Sequence, residues 1–135
     1  HHGSGKLQLV LSAQRYEVST RPLPVIQGGT EATRWIIDEV TLNYIVERTT
    51  NLYRMLWETL YDMSQVEMVS KRDQNSLMSF RVKNMEASKV VEELRKENIF
   101  TRTVDVLNPP TVRVSIGFWN RESDVEKIGE VVNGL

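Results

Sequence analysis

Three arginines carry most of the chemistry this sequence has to offer. Arg21 stands beside prolines, Arg102 falls within a predicted strand, and Arg113 lies mid-strand among apolar and small residues. A guanidinium in such a strand is costly unless something anionic meets it, and its planar fork suits two-point capture of a carboxylate. The alternative is an exposed sheet face carrying an ion-paired arginine, and pattern alone favours that alternative. Other chemistry is thinly represented. Gly28-Gly29 is by itself a weak phosphate signal. The carboxylate pairs Asp38-Glu39 and Glu92-Glu93 sit in charge-balanced helical contexts that suit solvation better than acid–base catalysis. No dinucleotide, Walker, zinc-protease, nucleophile-elbow or EF-hand pattern occurs.

Composition narrows the classes further. At 135 residues, 40% hydrophobic and 26% charged, the chain has the size and balance of one globular domain that buries a core unaided by disulfides or metal. It contains no cysteine, which removes thiolate metal sites and cysteine nucleophiles. His1-His2-Gly3-Ser4-Gly5 reads as the end of a histidine tag and a linker. Without it the chain has no histidine, the commonest general base and metal ligand near neutral pH. A net charge of −1, from 17 basic and 18 acidic residues, predicts neither a nucleic-acid nor an anionic-membrane partner. The apolar runs are too short to cross a bilayer.

The elements that must position the arginines follow from periodicity. Leu7 to Leu11 is an apolar run suited to a buried strand or a loose arm. A helix is expected between Val25 and Val40, with Gly28-Gly29 weakening its middle by roughly 1 kcal/mol each and moving its start toward Thr30. The clearest helix spans Asn43 to Met63, where Ile45, Thr49, Leu52, Leu56, Thr59 and Met63 recur at spacings of four and three. Val66 to Val69 and Leu77 to Val82 read as a hairpin, with Met78, Phe80 and Val82 on one face. Asn84 is placed to cap a helix carrying Ala87, Val90, Val91 and Leu94, whose charged residues, Arg95 among them, form a solvated face. Strands over 100–106 and 112–118 follow, and in the second Val112, Val114 and Ile116 oppose Thr111, Arg113 and Ser115. A last helix is expected to open with a capping box at Ser123 and Glu126 and to stop at Asn133-Gly134. Strand pairs alternating with helices imply an α+β two-layer sandwich, with helices on one face of a mostly antiparallel sheet.

The segments Arg15-Tyr16-Glu17-Val18-Ser19-Thr20-Arg21-Pro22, Asn51-Leu52, Ser79-Phe80-Arg81-Val82 and Thr101-Arg102 come in a familiar order. With Val112-Arg113-Val114-Ser115-Ile116-Gly117-Phe118-Trp119-Asn120 and Val125-Glu126-Lys127-Ile128, the chain from Gln14 to Leu135 resembles the C-terminal part of class V aminotransferase-like enzymes. These are pyridoxal-phosphate (PLP) enzymes of fold type I, including cysteine desulfurases, selenocysteine lyases and isopenicillin N epimerase-like proteins. The resemblance implies the small C-terminal domain of that fold. It implies that Arg113, in an Arg-x-Ser strand motif, binds the substrate α-carboxylate, with Arg102 at the edge of the active-site loop. It also implies that Thr20, with Ser19, reaches the cofactor phosphate of a neighbouring subunit, although Ser19 replaces the usual glycine and Arg21 precedes the proline.

Two departures shape the expectation. Where a desulfurase loop supplies a cysteine, this chain has Thr103-Val104-Asp105-Val106-Leu107, which favours an epimerase-like or lyase-like parent over a persulfide-forming desulfurase. The large domain, with the Schiff-base lysine, the pyridinium-pairing aspartate and the ring-stacking residue, is expected upstream and absent here. The expected organisation is therefore tag and linker over 1–5, an arm and connecting helix over 6–42, and the α+β domain over 43–135. The parent is expected to be a cytoplasmic homodimer acting on an amino acid; this fragment alone is expected to bind no PLP and to be inactive. The competing expectation is a stand-alone, non-catalytic α+β binding or assembly module; an independent small enzyme comes last. Apolar exposure at Leu7 to Leu11 and on the first helix would mark a domain separated from its neighbour, whereas a polar or self-covered surface would mark the module.

Overall fold

The computed structural model describes residues 11–16, 22–74 and 76–135. After a single 3-10 turn at Ala13–Tyr16, helix α1 runs over Leu23–Trp35, passes into a π-helical turn at Ile36–Val40, and is followed by α2 over Leu42–Tyr61. Then come β1 (Val66–Met68), β2 (Leu77–Val82), α3 (Ala87–Lys96), β3 (Arg102–Val104), β4 (Thr111–Ser115) and α4 (Glu122–Asn133). The strands form one sheet in the order β1-β2-β4-β3, antiparallel throughout, so β4 is an interior strand. Helices α2 and α3 lie against this sheet and α4 packs on both helices. The expected α+β architecture is the one observed.

Alternation in the strands produces the layering. Met78, Phe80 and Val82 of β2, with Val112 and Val114 of β4, are buried under Leu52, Leu56 and Leu60 of α2 and Val90 and Leu94 of α3. Burying one apolar side chain of this size contributes about 1.5–3 kcal/mol, and the three-four spacing of α2 concentrates that gain on one stripe. Val125, Ile128 and Val132 bring α4 into the same core.

Several local expectations change. Helix α1 starts at Leu23 and runs through Gly28-Gly29, because Pro24 falls in the first turn, where no N–H bond is lost. Thr30 is internal, its hydroxyl donating to the Ile26 carbonyl at 3.0 Å. Asn84 adopts a left-handed turn (φ 61°) before α3, whose cap is Glu86. Helix α4 begins at Glu122, two residues earlier than a Ser123–Glu126 box requires. Its first turn is closed by Asp124, which accepts from the Arg121 N–H at 2.9 Å and the Asn120 amide at 3.2 Å. Those two donors, the backbone one foremost, hold the Asp124 carboxyl below its ordinary range. Strand β2 has the expected bounds, while β1, β3 and β4 are shorter than the apolar runs that announced them.

The join between α1 and α2 is strained. Thr41 has φ 68°, a costly value for a β-branched residue, while its Oγ1 accepts from the Tyr44 N–H at 3.3 Å to cap α2. No side chain of α1 is buried. No described helix is long and apolar enough to cross a membrane.

Two predictions concern the α2–α4 contact. A Cβ added at Gly129 would stand 2.7 Å from Thr59 Cγ2, and the Thr59 rotamer is fixed by its hydroxyl donating to the Met55 carbonyl at 2.9 Å. Gly129→Ala gains about 1 kcal/mol of helix propensity but overpacks by about 1–3 kcal/mol, so it should destabilise by about 1 kcal/mol. In a Thr59→Ser background the same change should become stabilising; urea midpoints of the four proteins decide it. Nearby, Arg48 clamps Glu122 with both ends of its guanidinium and donates to the Asn120 carbonyl at 2.9 Å. That clamp, reinforced by the Glu122 N–H, lowers the Glu122 carboxyl from 4.5 to about 2. A depressed carboxylate stabilises above its unfolded pKa and loses that contribution as pH falls through the folded value. The stability gap between the native protein and Glu122→Gln should thus be constant above about pH 5 and close toward pH 2; a gap indifferent to pH would refute the clamp.

Candidate functional site

Helix-covered on one side, the sheet leaves its other face to the second set of alternating residues. Arg113 stands on that open face of β4, directly opposite Arg102 on β3 and Ser79 on β2. Two like charges directly opposed across strands destabilise a sheet, so the Arg102–Arg113 pair calls for a reason. The structure brings these two residues together: both line a depression of about 330 Å³, completed by Arg95, Phe100, Thr101 and Ser115. No acidic side chain among the described residues lines it.

Elsewhere on the chain several cations find acidic partners, while others such as Arg54, Lys89 and Arg121 form no ion pair among the described residues. Arg34, Arg48, Arg72 and Arg81 each pair with a carboxylate. Among the described residues Arg95, Arg102 and Arg113 pair with none, which overturns the ion-paired alternative for Arg113. Its Nε is buried without a hydrogen-bond partner, and so is the Thr101 hydroxyl. Of the three such side-chain atoms among the described residues, these two line the arginine pocket; the third belongs to Thr111. Buried polar atoms are almost always satisfied; both orphans are covered atoms of residues that line the depression, so local hydrogen bonding is incomplete around it.

The flanking elements fix this geometry. Helix α3 ends in a Schellman turn: Ile99 N–H donates to the Leu94 carbonyl and Asn98 N–H to the Arg95 carbonyl, both at 3.0 Å, with Asn98 left-handed at φ 61°. The turn reverses the chain so that Phe100, Thr101 and Arg102 return beside Arg95, whose guanidinium lies 6.0 Å from the Phe100 ring centre. Past β4, the Gly117 N–H donates to Asn120 Oδ1 at 2.8 Å, and an added Cβ at Gly117 would strike the Trp119 ring at 2.4 Å. Only glycine lets that indole fold back across the chain. Arg95 was assigned to a solvated helix face; the signal that it belongs to the pocket was Asn98, a left-handed helix stop three residues on. Ser19, Thr20 and Arg21 lie outside the described residues.

Comparison with known proteins bears on what this pocket belongs to. The family model for aminotransferase class-V matches residues 7–128. The chain belongs to the class V aminotransferase family. Among solved structures, the apo cysteine desulfurase of Thermococcus onnurineus NA1 superposes with a TM-score of 0.80 at 22% identity, covering 90% of this chain and 33% of that one. The Escherichia coli cysteine desulfurase CsdA does so at 0.76 and 20%, over 87% of this chain and 31% of that one. The cystine C-S lyase C-DES, solved with its product cysteine persulfide, gives 0.76 and 20%, over 89% and 32%; a mutant of it carries glycine linked covalently to the PLP cofactor. This chain thus spans about a third of the length of these class V relatives, and the likeness establishes the fold. No curated protein sequence matches it.

The pocket's residues do not fit PLP as a whole. No lysine lines it; Lys83 donates to the Ser64 carbonyl, Lys96 pairs with Glu93 and Lys127 with Glu97. Nor does it offer an acid for a pyridinium nitrogen. What it fits is a small anion. If Arg113 is held for binding at the expense of folding, Arg113→Met should stabilise the chain by about 1 kcal/mol, since an unmet buried donor costs about 1–3 kcal/mol; a lowered urea midpoint would show that Arg113 is structural.

Proposed function

We propose that the chain is the substrate-gripping C-terminal domain of a PLP-dependent class V enzyme acting on an amino acid, with Arg113 holding the substrate α-carboxylate. The observation that carries this is Arg113, without an acidic partner, on a depression that among the described residues is lined by three arginines and by no acid. A carboxylate there would accept from the terminal guanidinium nitrogens of Arg113, offsetting the repulsion from Arg102. Arg102 would then act as a second cation at the pocket edge. PLP, held by residues beyond this chain, would supply the electron sink; the groups here would orient the amino acid toward it and exclude water from its carboxylate. In this proposal Thr20 and Ser19 contact the cofactor phosphate of the other subunit of a cytoplasmic homodimer, and residues 6–42 are an arm and connecting helix.

Exposure supports a domain that normally has a neighbour. Val25, Ile26 and Trp35 on α1 are 71%, 48% and 54% exposed, and Leu11 is 95% exposed; residues 7–10 fall outside the described residues. A stand-alone module would have a more polar α1 or cover it by self-association. The chain contributes no cysteine, so we place the parent with epimerase-like or lyase-like class V enzymes and not with persulfide-forming desulfurases.

The test uses the intact enzyme. Arg113→Ala should lower kcat/KM by about 2–5 kcal/mol of lost charge-assisted binding, with the absorbance of bound PLP unchanged, and Arg113→Lys should recover only part of it. An unchanged kcat/KM refutes the role.

A further inference from the structure

A single carboxylate on Arg113 leaves the pocket with two further guanidinium groups and no acid. Unpaired cations occur elsewhere on the surface, but here three guanidinium groups gather in one depression. Arg95 has Glu92 three residues before it, a helical spacing at which ion pairs form readily, and Arg95 makes no such pair among the described residues. The neighbouring Lys96 does pair, with Glu93 at 2.6 Å. Instead the Arg95 guanidinium lies toward Phe100, at the rim of the depression. The Schellman turn that places it there is bonded through the carbonyl of Arg95 itself. Arg102 stands across from Arg113 in the ladder. At about 330 Å³ the depression is at the small end of ligand pockets, which run from about 300 to 1,000 Å³. Larger depressions of about 560 and 550 Å³ each hold a mixture of acids and bases.

We infer that the pocket takes an acidic ligand with two separated anionic groups, one on Arg113 and the other on Arg95, with Arg102 between the two demands. Resting on the carboxylate role proposed for Arg113, this gives the substrate class: an amino acid whose side chain ends in a carboxylate or a comparable anion. Arg95 is then the residue that sets specificity. Field complementarity favours an anionic side chain over a neutral one beside Arg95 and Arg102.

The 135-residue chain itself serves for the test, with propionate, succinate and inorganic phosphate titrated at matched ionic strength while arginine Nε–Hε resonances are followed. Succinate should bind about fivefold tighter than propionate, the upper range for one added ion pair near a surface. It should move both Arg113 and Arg95, whereas propionate should move Arg113 alone. Arg95→Gln should abolish the preference, weakening succinate about fivefold more than propionate. Equal affinity for propionate and succinate, or a preference that survives Arg95→Gln, overturns the second anion site. Phosphate matching succinate also overturns it, since the pocket would then read total charge and not two separated groups. Failure of every anion to move Arg113 removes instead the carboxylate reading on which the inference rests.

Discussion

The period-two alternation of β4 is the constraint on which the rest depends. Being interior, β4 must satisfy its ladder with β2 on one side and β3 on the other, and its register with both is fixed by which residues go inward. Val112 and Val114 face the helices and pull Arg113 to the opposite face. A slip of one residue would bury the guanidinium in the core and expose two valines. The hydrophobic term therefore positions a charged group that makes no favourable contact of its own. The core here acts as a placement device, and the arginine's location is as well determined as the core is.

Beyond β4 the pocket depends on how two elements end. At one end of the sheet α3 stops in a left-handed turn at Asn98 and delivers Thr101 and Arg102 next to Arg95. Past β4 the chain turns at Gly117, with Asn120 bonded back to Gly117 and forward to Asp124. The second turn is tied to α2 through Arg48, which reaches both the Asn120 carbonyl and Glu122. Helix ends, which must in any case satisfy free N–H and carbonyl groups, are used here to aim neighbouring segments.

Much of this was legible in the residues. The helix α2, the inward set of β2 and β4 and the α+β layering follow from spacing alone, because burial of a whole face outweighs local detail. Arg113 could be placed opposite the apolar face for the same reason. Harder to read were features decided by a single backbone angle or a single bond. Asn84 looks like a cap but adopts a turn; Ser123 looks like a cap, yet Asp124 closes the helix from inside its first turn. Gly28-Gly29 suggested a late start for α1, although a proline in the first turn costs nothing there. Thr111 belongs by alternation to the open face and is nevertheless buried. Arg95 escaped notice because a charged helix residue is usually just solvated, and its side chain joins the pocket only after the chain reverses beyond it.

The distribution of satisfied and unsatisfied groups separates scaffold from site. In the scaffold, polar groups close on each other: the Tyr53 hydroxyl donates to the Lys71 carbonyl at 2.6 Å, and the Trp57 indole to the Ser70 carbonyl at 3.1 Å. A chain able to complete such bonds around its core has no general shortage of acceptors. Two of the three unmet buried side-chain atoms among the described residues nevertheless belong to residues of one depression, which also gathers three unpaired arginines, and the unmet apolar surface includes α1, a helix that buries none of its side chains. Each of these carries a free-energy cost in the isolated chain, of the order of a kcal/mol per buried polar atom, and each would be removed by a specific kind of contact: an anion for the first, an apolar surface for the second. A binding or assembly module complete in itself would have shed both costs. Their persistence together, in a chain that spans a third of its structural relatives' length, is what a domain shaped to work against a larger body and an acidic small molecule would show.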